Sequence, residues 1–382
     1  MSSKIIPYGR HNITDEDIQS VIKSLQSDAL TQGPTILEFE KKFAEYIGCN
    51  YAVAVANGTA ALHLCAMAMK VDDSCNIITT PITFAASANC IRYCNGNVYF
   101  ADIVPGTYIL DPVKTEELIL SKPEGFFKGI IVVDFAGYAA NLEIFQNLAI
   151  KYNLWIIEDA CHAPGGYFID SKGIPQLCGN GVYSDLAVFS FHPVKHIACG
   201  EGGMITTNNV KLYNEILKLR THGITRDPEI MFENQGGWYY EMQELGYNYR
   251  LTDFQAALGI SQLKRADDGL ERRKQIAKRY SEAFKNDQRI ICHSGIVEGH
   301  AYHLYIIEVM NRKSVYNALR EKNIFCQVHY IPVHSMPYYR SIRNEHFPIA
   351  EKYYEQCLSL PMFPTLTDEE QDYVINSIRE AL

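Results

Sequence analysis

The chain has 382 residues, with 35 Lys and Arg against 44 Asp and Glu, for a net charge of −9. That length suits two domains with a substantial buried core, and a composition of 47% hydrophobic and 21% charged residues excludes a disordered chain. The acidic balance, with no run of Lys or Arg, excludes a general nucleic-acid binder.

Only Ile5 and Ile6 are strongly apolar before Pro7, so no signal-peptide core is read there. No apolar stretch approaches the roughly 20 residues that span a bilayer, so no membrane association is expected. Eleven cysteines without Cys-x-x-Cys spacing read as reduced thiols of a cytoplasmic protein. His192 and His196 are four apart, but Pro193 breaks a helix between them and no Glu adjoins the first His, so no metal site is read. No Walker loop and no Gly-x-Gly-x-x-Gly occurs.

In chain order, Thr14-Asp-Glu-Asp17 caps a helix to about Ser27, and Gly33-Pro34 opens another that stops at Gly48. Strands and helices then alternate. Strands fall at 51–55, 76–80, 97–102, 130–134 and 154–159, and helices at 59–69, 84–94, 112–121 and 142–152. Continuous apolar strands in such alternation predict a mostly parallel sheet covered on both faces. Leu186 to Phe191 and Gly203 to Thr207 read as strands joined by a hairpin-like excursion, too short for a crossover helix. Residues 228–249 have no period and read as a long functional or interface loop. Helices at 251–263 and 270–284 lead into a strand at 302–309, a helix at 313–322, a strand at 325–328, a helix at 349–358 and a last helix capped by Thr367-Asp-Glu-Glu370. The fold class is therefore α/β. A large domain, 1–262, surrounds a mostly parallel sheet, and a smaller C-terminal α+β domain spans 263–382.

Four features fall at the ends of predicted strands, where ligands of open α/β sheets bind. Asn57-Gly58-Thr59-Ala60 is either a phosphate cradle at a helix mouth or a plain strand-to-helix turn with Thr59 as cap. Glu158-Asp159 ends an apolar strand, and a buried carboxylate there needs a cationic or hydrogen-bonding partner such as a protonated heterocycle nitrogen. Lys195, just past Phe189-Ser190-Phe191-His192-Pro193-Val194, is either a depressed-pKa lysine able to form a Schiff base or an ordinary surface lysine. Gly246-Tyr247-Asn248-Tyr249-Arg250 leads polar and aromatic groups into a helix, or is a structured loop with Asn248 as turn residue or cap.

At these residues the chain resembles the DegT/DnrJ/EryC1/StrS sugar aminotransferases, pyridoxal 5′-phosphate (PLP) enzymes of the type I, aspartate aminotransferase-like fold. The resemblance runs through Ile6-Pro7-Tyr8-Gly9-Arg10, Leu30-Thr31-Gln32-Gly33, Thr79-Thr80-Pro81-Ile82-Thr83-Phe84, Glu201-Gly202-Gly203 and Tyr302-His303-Leu304-Tyr305. Phe-His-Pro-Val-Lys and Val328-His329-Tyr330-Ile331-Pro332 resemble one branch, the UDP-4-amino-4,6-dideoxy-N-acetyl-β-L-altrosamine transaminases of the pseudaminic acid pathway. His196-Ile-Ala-Cys199 departs from the more usual Pro-Ile-Thr-Thr, and Pro164 from a usual Leu or His.

The resemblance implies roles. Lys195 is the lysine joined to the cofactor, and Asp159 pairs with its pyridine nitrogen. His162 lies near its phenolic oxygen, Phe84 stacks on the ring, and Cys161 lies against the other face. Gly58, Thr59, Ala60 and Ser190 bind its phosphate. Asn248 reaches the phosphate from a neighbouring subunit, which implies a homodimer with shared sites. Tyr8, Leu30, Thr31, His329 and Tyr330 lie near the UDP-sugar. The implied activity moves an amino group from L-glutamate to the C4 keto group of a UDP-linked 4-keto-6-deoxy-N-acetylhexosamine. Another nucleotide-linked ketosugar, at C3 or C4 and on UDP or dTDP, is the near alternative. A 3-dehydratase of this fold would carry His in place of Lys195, and a non-enzymatic regulatory member would lose Lys195 or Asp159. From Lys264 onward Lys and Arg outnumber Asp and Glu by one, so the acidic excess lies in the first 263 residues. Phosphate binding there must rest on N–H groups, hydroxyls and helix ends.

Overall fold

The structure, a computed structural model, describes residues 5–342 and 345–382; Met1 to Lys4 lie outside them. Its centre is a seven-stranded sheet in the order Tyr51–Val55, Gly203–Thr207, Leu186–Ser190, Trp155–Asp159, Phe127–Val133, Asn76–Thr79, Asn97–Phe100. Gly203–Thr207 runs antiparallel to both its neighbours, and the other strands run parallel to one another. The strands are buried on both sides and carry separate apolar clusters on each face. This explains their unbroken apolar sequences.

Local chemistry sets the helix ends. Thr14 and Asp17 form a capping box for Asp15–Leu25, and Thr367 and Glu370 form one for Asp368–Ala381. Pro34 starts Pro34–Ile47, and Gly48 ends it with φ 78°. Asp253–Leu263 and Ala266–Phe284 follow the long irregular stretch, in which Glu241–Met242 pairs with Ile224–Thr225.

The C-terminal part has its own three-stranded antiparallel sheet, Ile290–His293, Tyr305–Val309 and Cys357–Leu360, and its own apolar cluster. Several boundaries differ from the sequence expectation. The strand expected at 302–309 begins at Tyr305. Tyr302 has φ 48° and the carbonyls of Tyr302 and His303 bond Arg273, so neither can join the ladder. The helix expected to reach Leu358 ends at Gln356, because Cys357–Leu360 turns extended to pair with Tyr305–Val309. The strand expected at 325–328 is shorter and broken: Ile324–Phe325 pairs with Ile6–Pro7, and Gln327 forms a separate bridge with Ser359. The Val210–Leu219 helix and the Tyr167–Ile169/Pro175–Leu177 hairpin were not expected.

Candidate active site

The carboxyl ends of the parallel strands open into a cavity of about 610 Å³. Its lining includes Tyr8, Gly58, Thr59, Ala60, Phe84, Asp159, Cys161, His162, Ser190, Lys195, His329 and Tyr330. Residues up to 322 positions apart in sequence thus share one space.

One wall is the mouth of Gly58–Ala68. Asn57 Oδ1 accepts the Ala60 N–H at 2.8 Å, so the helix is capped by Asn57 and not by Thr59. Among the described residues, none hydrogen-bonds the Gly58 and Thr59 N–H groups or the Thr59 hydroxyl. Ser190, at the end of its strand, faces Gly58; a Cβ on Gly58 would lie 3.1 Å from the Ser190 Cβ. A Cβ on Gly203 would lie 2.6 Å from the Asn57 carbonyl carbon and oxygen. The turn therefore needs small neighbours, and its free donors and positive helix end suit a phosphate.

A second wall is the end of Trp155–Asp159. Asp159 is buried, and each of its oxygens accepts a hydrogen bond, from Ser87 Oγ at 2.6 Å and from Cys161 N at 3.2 Å. Thr83 Oγ1 lies 2.7 Å from Ser87 Oγ, so Thr83 donates to Ser87, which donates to Asp159. This relay fixes the carboxylate and leaves lone pairs for a cationic group in the cavity.

Lys195 enters from the loop between Leu186–Ser190 and Gly203–Thr207. Burial pushes its ammonium down to about 8, and Arg273 adds to this; Cys161 and Asp159 oppose it. Burial also holds the Cys161 thiol well above its usual range. His162 Nδ1 accepts the Ala136 N–H at 3.2 Å, so the ring proton sits on Nε2, 3.3 Å from the Tyr330 hydroxyl. Burial and the neighbouring Lys195 keep that ring neutral. His329 is likewise neutral, its pKa lowered to about 3 by burial. Its Nδ1 lies 2.9 Å from Ser359 Oγ, and the Tyr8 ring is 5.0 Å away. Phe84 is 61% exposed at the mouth, with its ring 6.1 Å from that of Tyr330.

The model of the DegT/DnrJ/EryC1/StrS aminotransferase family matches residues 11–379. The chain belongs to this family. Spore coat polysaccharide biosynthesis protein SpsC of Bacillus subtilis is 36% identical to the aminotransferase, over 98% of this chain and 96% of that one. A UDP-4-amino-4,6-dideoxy-N-acetyl-β-L-altrosamine transaminase of Campylobacter jejuni is 34% identical, over 98% and 96%. Among solved structures, PseC of Helicobacter pylori, an aminotransferase of pseudaminic acid biosynthesis, superposes with a TM-score of 0.88 at 28% identity, covering 99% of both chains. Spr1654 of Streptococcus pneumoniae, assigned as a sugar aminotransferase and solved in its PMP form, gives 0.88 at 27% identity, covering 98% of both chains. The fold is that of the PLP-dependent sugar aminotransferases.

Within the aminotransferase, three expected site residues stand apart. Leu30, Thr31 and Asn248 are exposed and do not line the cavity of their own chain. Leu30 O accepts the Asp253 N–H, Thr31 bridges Thr252, and Asn248 bridges Thr221. Sequence reasoning in turn passed over His63 and Tyr93 in the lining, and quoted Glu201, Tyr249 and His303 only within motifs. It also passed over Ser87, whose one signal was a polar residue inside an apolar helix.

Proposed function

We propose that the chain is a PLP-dependent aminotransferase that moves an amino group from L-glutamate to the C4 keto group of a UDP-linked 4-keto-6-deoxy-N-acetylhexosamine. The carrying observation is the placement of Lys195 and Asp159 in one cavity, beside a helix mouth with free N–H donors. The donor set fits the cofactor. Gly58, Thr59, Ala60 and Ser190 would take the phosphate, Asp159 the ring nitrogen, Phe84 and Cys161 the two ring faces, His162 the phenolic oxygen, and Lys195 the aldehyde carbon. The bound group supplies the electron sink for breaking a bond at the donor's α-carbon. Lys195, whose amine is deprotonated far more often near neutral pH than that of an ordinary lysine, would move the proton from that carbon. Thr83 and Ser87 hold Asp159 in place while it keeps a cationic partner charged. Tyr8, His329 and Tyr330 sit where a sugar would enter.

The transaminase relative in C. jejuni supports the UDP-linked 4-keto substrate. The spore-coat name of the B. subtilis relative keeps a different nucleotide-linked ketosugar in view. The surface placement of Leu30, Thr31 and Asn248, with Phe232 and Trp238 exposed nearby in sequence to Asn248, supports a homodimer in which these residues serve the neighbouring site. Eleven free thiols support a cytoplasmic place, and among the described residues no helix is long and apolar enough to cross a membrane.

The test is product analysis with glutamate and a panel of UDP- and dTDP-linked ketosugars. Lys195→Ala should abolish turnover and the visible cofactor band. Asp159→Asn should bind cofactor and fail at proton abstraction. Normal transamination by the lysine variant, or a near wild-type rate in the aspartate variant, contradicts the assignment.

A further inference from the structure

Lys195 hangs on an irregular loop, and something must fix its Cα. The neck of the loop is closed: the Phe191 N–H donates to Gly202 O at 2.8 Å, and the Cys199 N–H to Phe191 O at 2.9 Å. Nearer the tip, the Lys195 N–H donates to His192 O at 2.9 Å, a bond within the loop itself. Among the described residues, one hydrogen bond runs from residues 192–198 to the C-terminal part. It joins His196 Nε2 and Ala301 O at 2.7 Å. A carbonyl only accepts, so His196 carries its proton on Nε2. Its Nδ1 is buried without a partner.

The anchor is firm. The Ala301 N–H donates to Gly137 O at 2.7 Å. The next two carbonyls, of Tyr302 and His303, accept from Arg273 Nη1 at 3.1 and 3.3 Å, and that buried guanidinium also holds Met362 O at 3.0 Å. Gly137, at φ 95°, lets the two backbones meet; a Cβ there would lie 2.9 Å from Tyr302 N and from His162 O. The Leu304 N–H closes the segment onto Ala136 O at 3.1 Å. The residue whose N–H sets the His162 tautomer is thus tied to the same segment that receives His196.

We propose that His196 is the positioning residue for Lys195, hanging the lysine loop on the Ala301 carbonyl so that the amine is delivered from a fixed backbone. The inference rests on the reading of Lys195 as the group that joins the cofactor. The lysine side chain has four rotatable bonds, and a loose loop adds displacement of its root. Misplacement by about 1 Å can cost on the order of a hundredfold in rate. The bond needs a donor at the Nε2 position. Gln supplies one at matching reach, Met has the reach without the donor, and Asn has the donor without the reach.

The experiment mixes full-length protein with PLP and follows growth of the visible band. Borohydride trapping and peptide mass spectrometry locate the adduct. His196→Met should slow attachment at Lys195 by about tenfold or more, while His196→Gln stays within about twofold of wild type. Equal rates for His196→Met and wild type overturn the proposal, as does a His196→Gln protein as slow as His196→Met. Should His196→Met fail to fold, His196→Asn takes its place, with slow attachment in support and a wild-type rate against. Absence of a Lys195 adduct in the wild type removes the role of Lys195 itself, and that of His196 with it.

Discussion

Lys195 should be reactive near neutral pH because the protein withholds solvent from its charge. Its ammonium falls from 10.5 to about 8, chiefly through burial. At pH 7 an ordinary lysine is free amine in roughly one molecule in three thousand; at a pKa near 8 it is about one in eleven, a gain of about 300-fold. Only the free amine attacks a carbonyl. The perturbation is pH itself. Attachment of PLP to the full-length chain, followed by stopped-flow absorbance between pH 6 and 10, should rise about tenfold per pH unit and bend near pH 8. A simple alkylamine measured alongside should keep rising to beyond pH 10, which separates the lysine from titrations of PLP. A protein profile that still climbs tenfold per unit at pH 9.5 would refute the argument, since it would mean that burial does not perturb the amine.

Behind the site, Asp134 and Glu158 are both buried, and their carboxylate oxygens and the Cys178 Sγ lie within 4.8 Å of one another. Burial pushes Asp134 up to about 7, and burial with the facing Asp134 pushes Glu158 up as well. The folded state then keeps a proton that the unfolded chain releases above about pH 4, so stability should fall as pH rises from about 4 to 7, by up to about 1.4 kcal/mol per pH unit for one proton. Glu158→Gln should flatten that slope in urea midpoints measured across the range; an unchanged slope counts against Glu158 as a group that keeps such a proton. Gly203→Ala would drive a Cβ to 2.6 Å from the Asn57 carbonyl. PLP affinity should fall by about tenfold through displacement of the phosphate turn, and an unaltered absorbance titration would show that the turn can shift freely.

Residues whose chemistry is local were readable in the sequence. Asp159 ends an apolar strand, Lys195 follows one on a loop, and Asn57-Gly58-Thr59 sits between a strand and a helix, so period and punctuation marked all of them as candidates, and the resemblance supplied their roles. The hairpin reading of 186–207 also matched, because its Gly-rich joint is too short for a helix. What period could not carry was pairing across the chain. Ser87 reads as a helix residue and becomes the donor to Asp159 only across 72 positions. Cys357-Leu-Ser-Leu360 reads as the end of a helix and is drawn extended by Tyr305–Val309. Tyr302 and His303 read as strand, yet a buried arginine 29 and 30 residues earlier claims their carbonyls. Leu30, Thr31 and Asn248 carry roles through resemblance alone, and nothing in their own chain brings them to the cavity.

The reversed strand has a consequence for the order in which the protein is made. Gly203–Thr207 fills the gap between Tyr51–Val55 and Leu186–Ser190. Tyr51–Val55, which ends just before the phosphate turn, is joined to the rest of the sheet only through that strand. A growing chain that stops short of residue 207 holds both halves of the site without the piece that sets them side by side. Such long-range closure comes late in folding. A cofactor that binds the closed form and not the open one would stabilise the completed sheet by mass action.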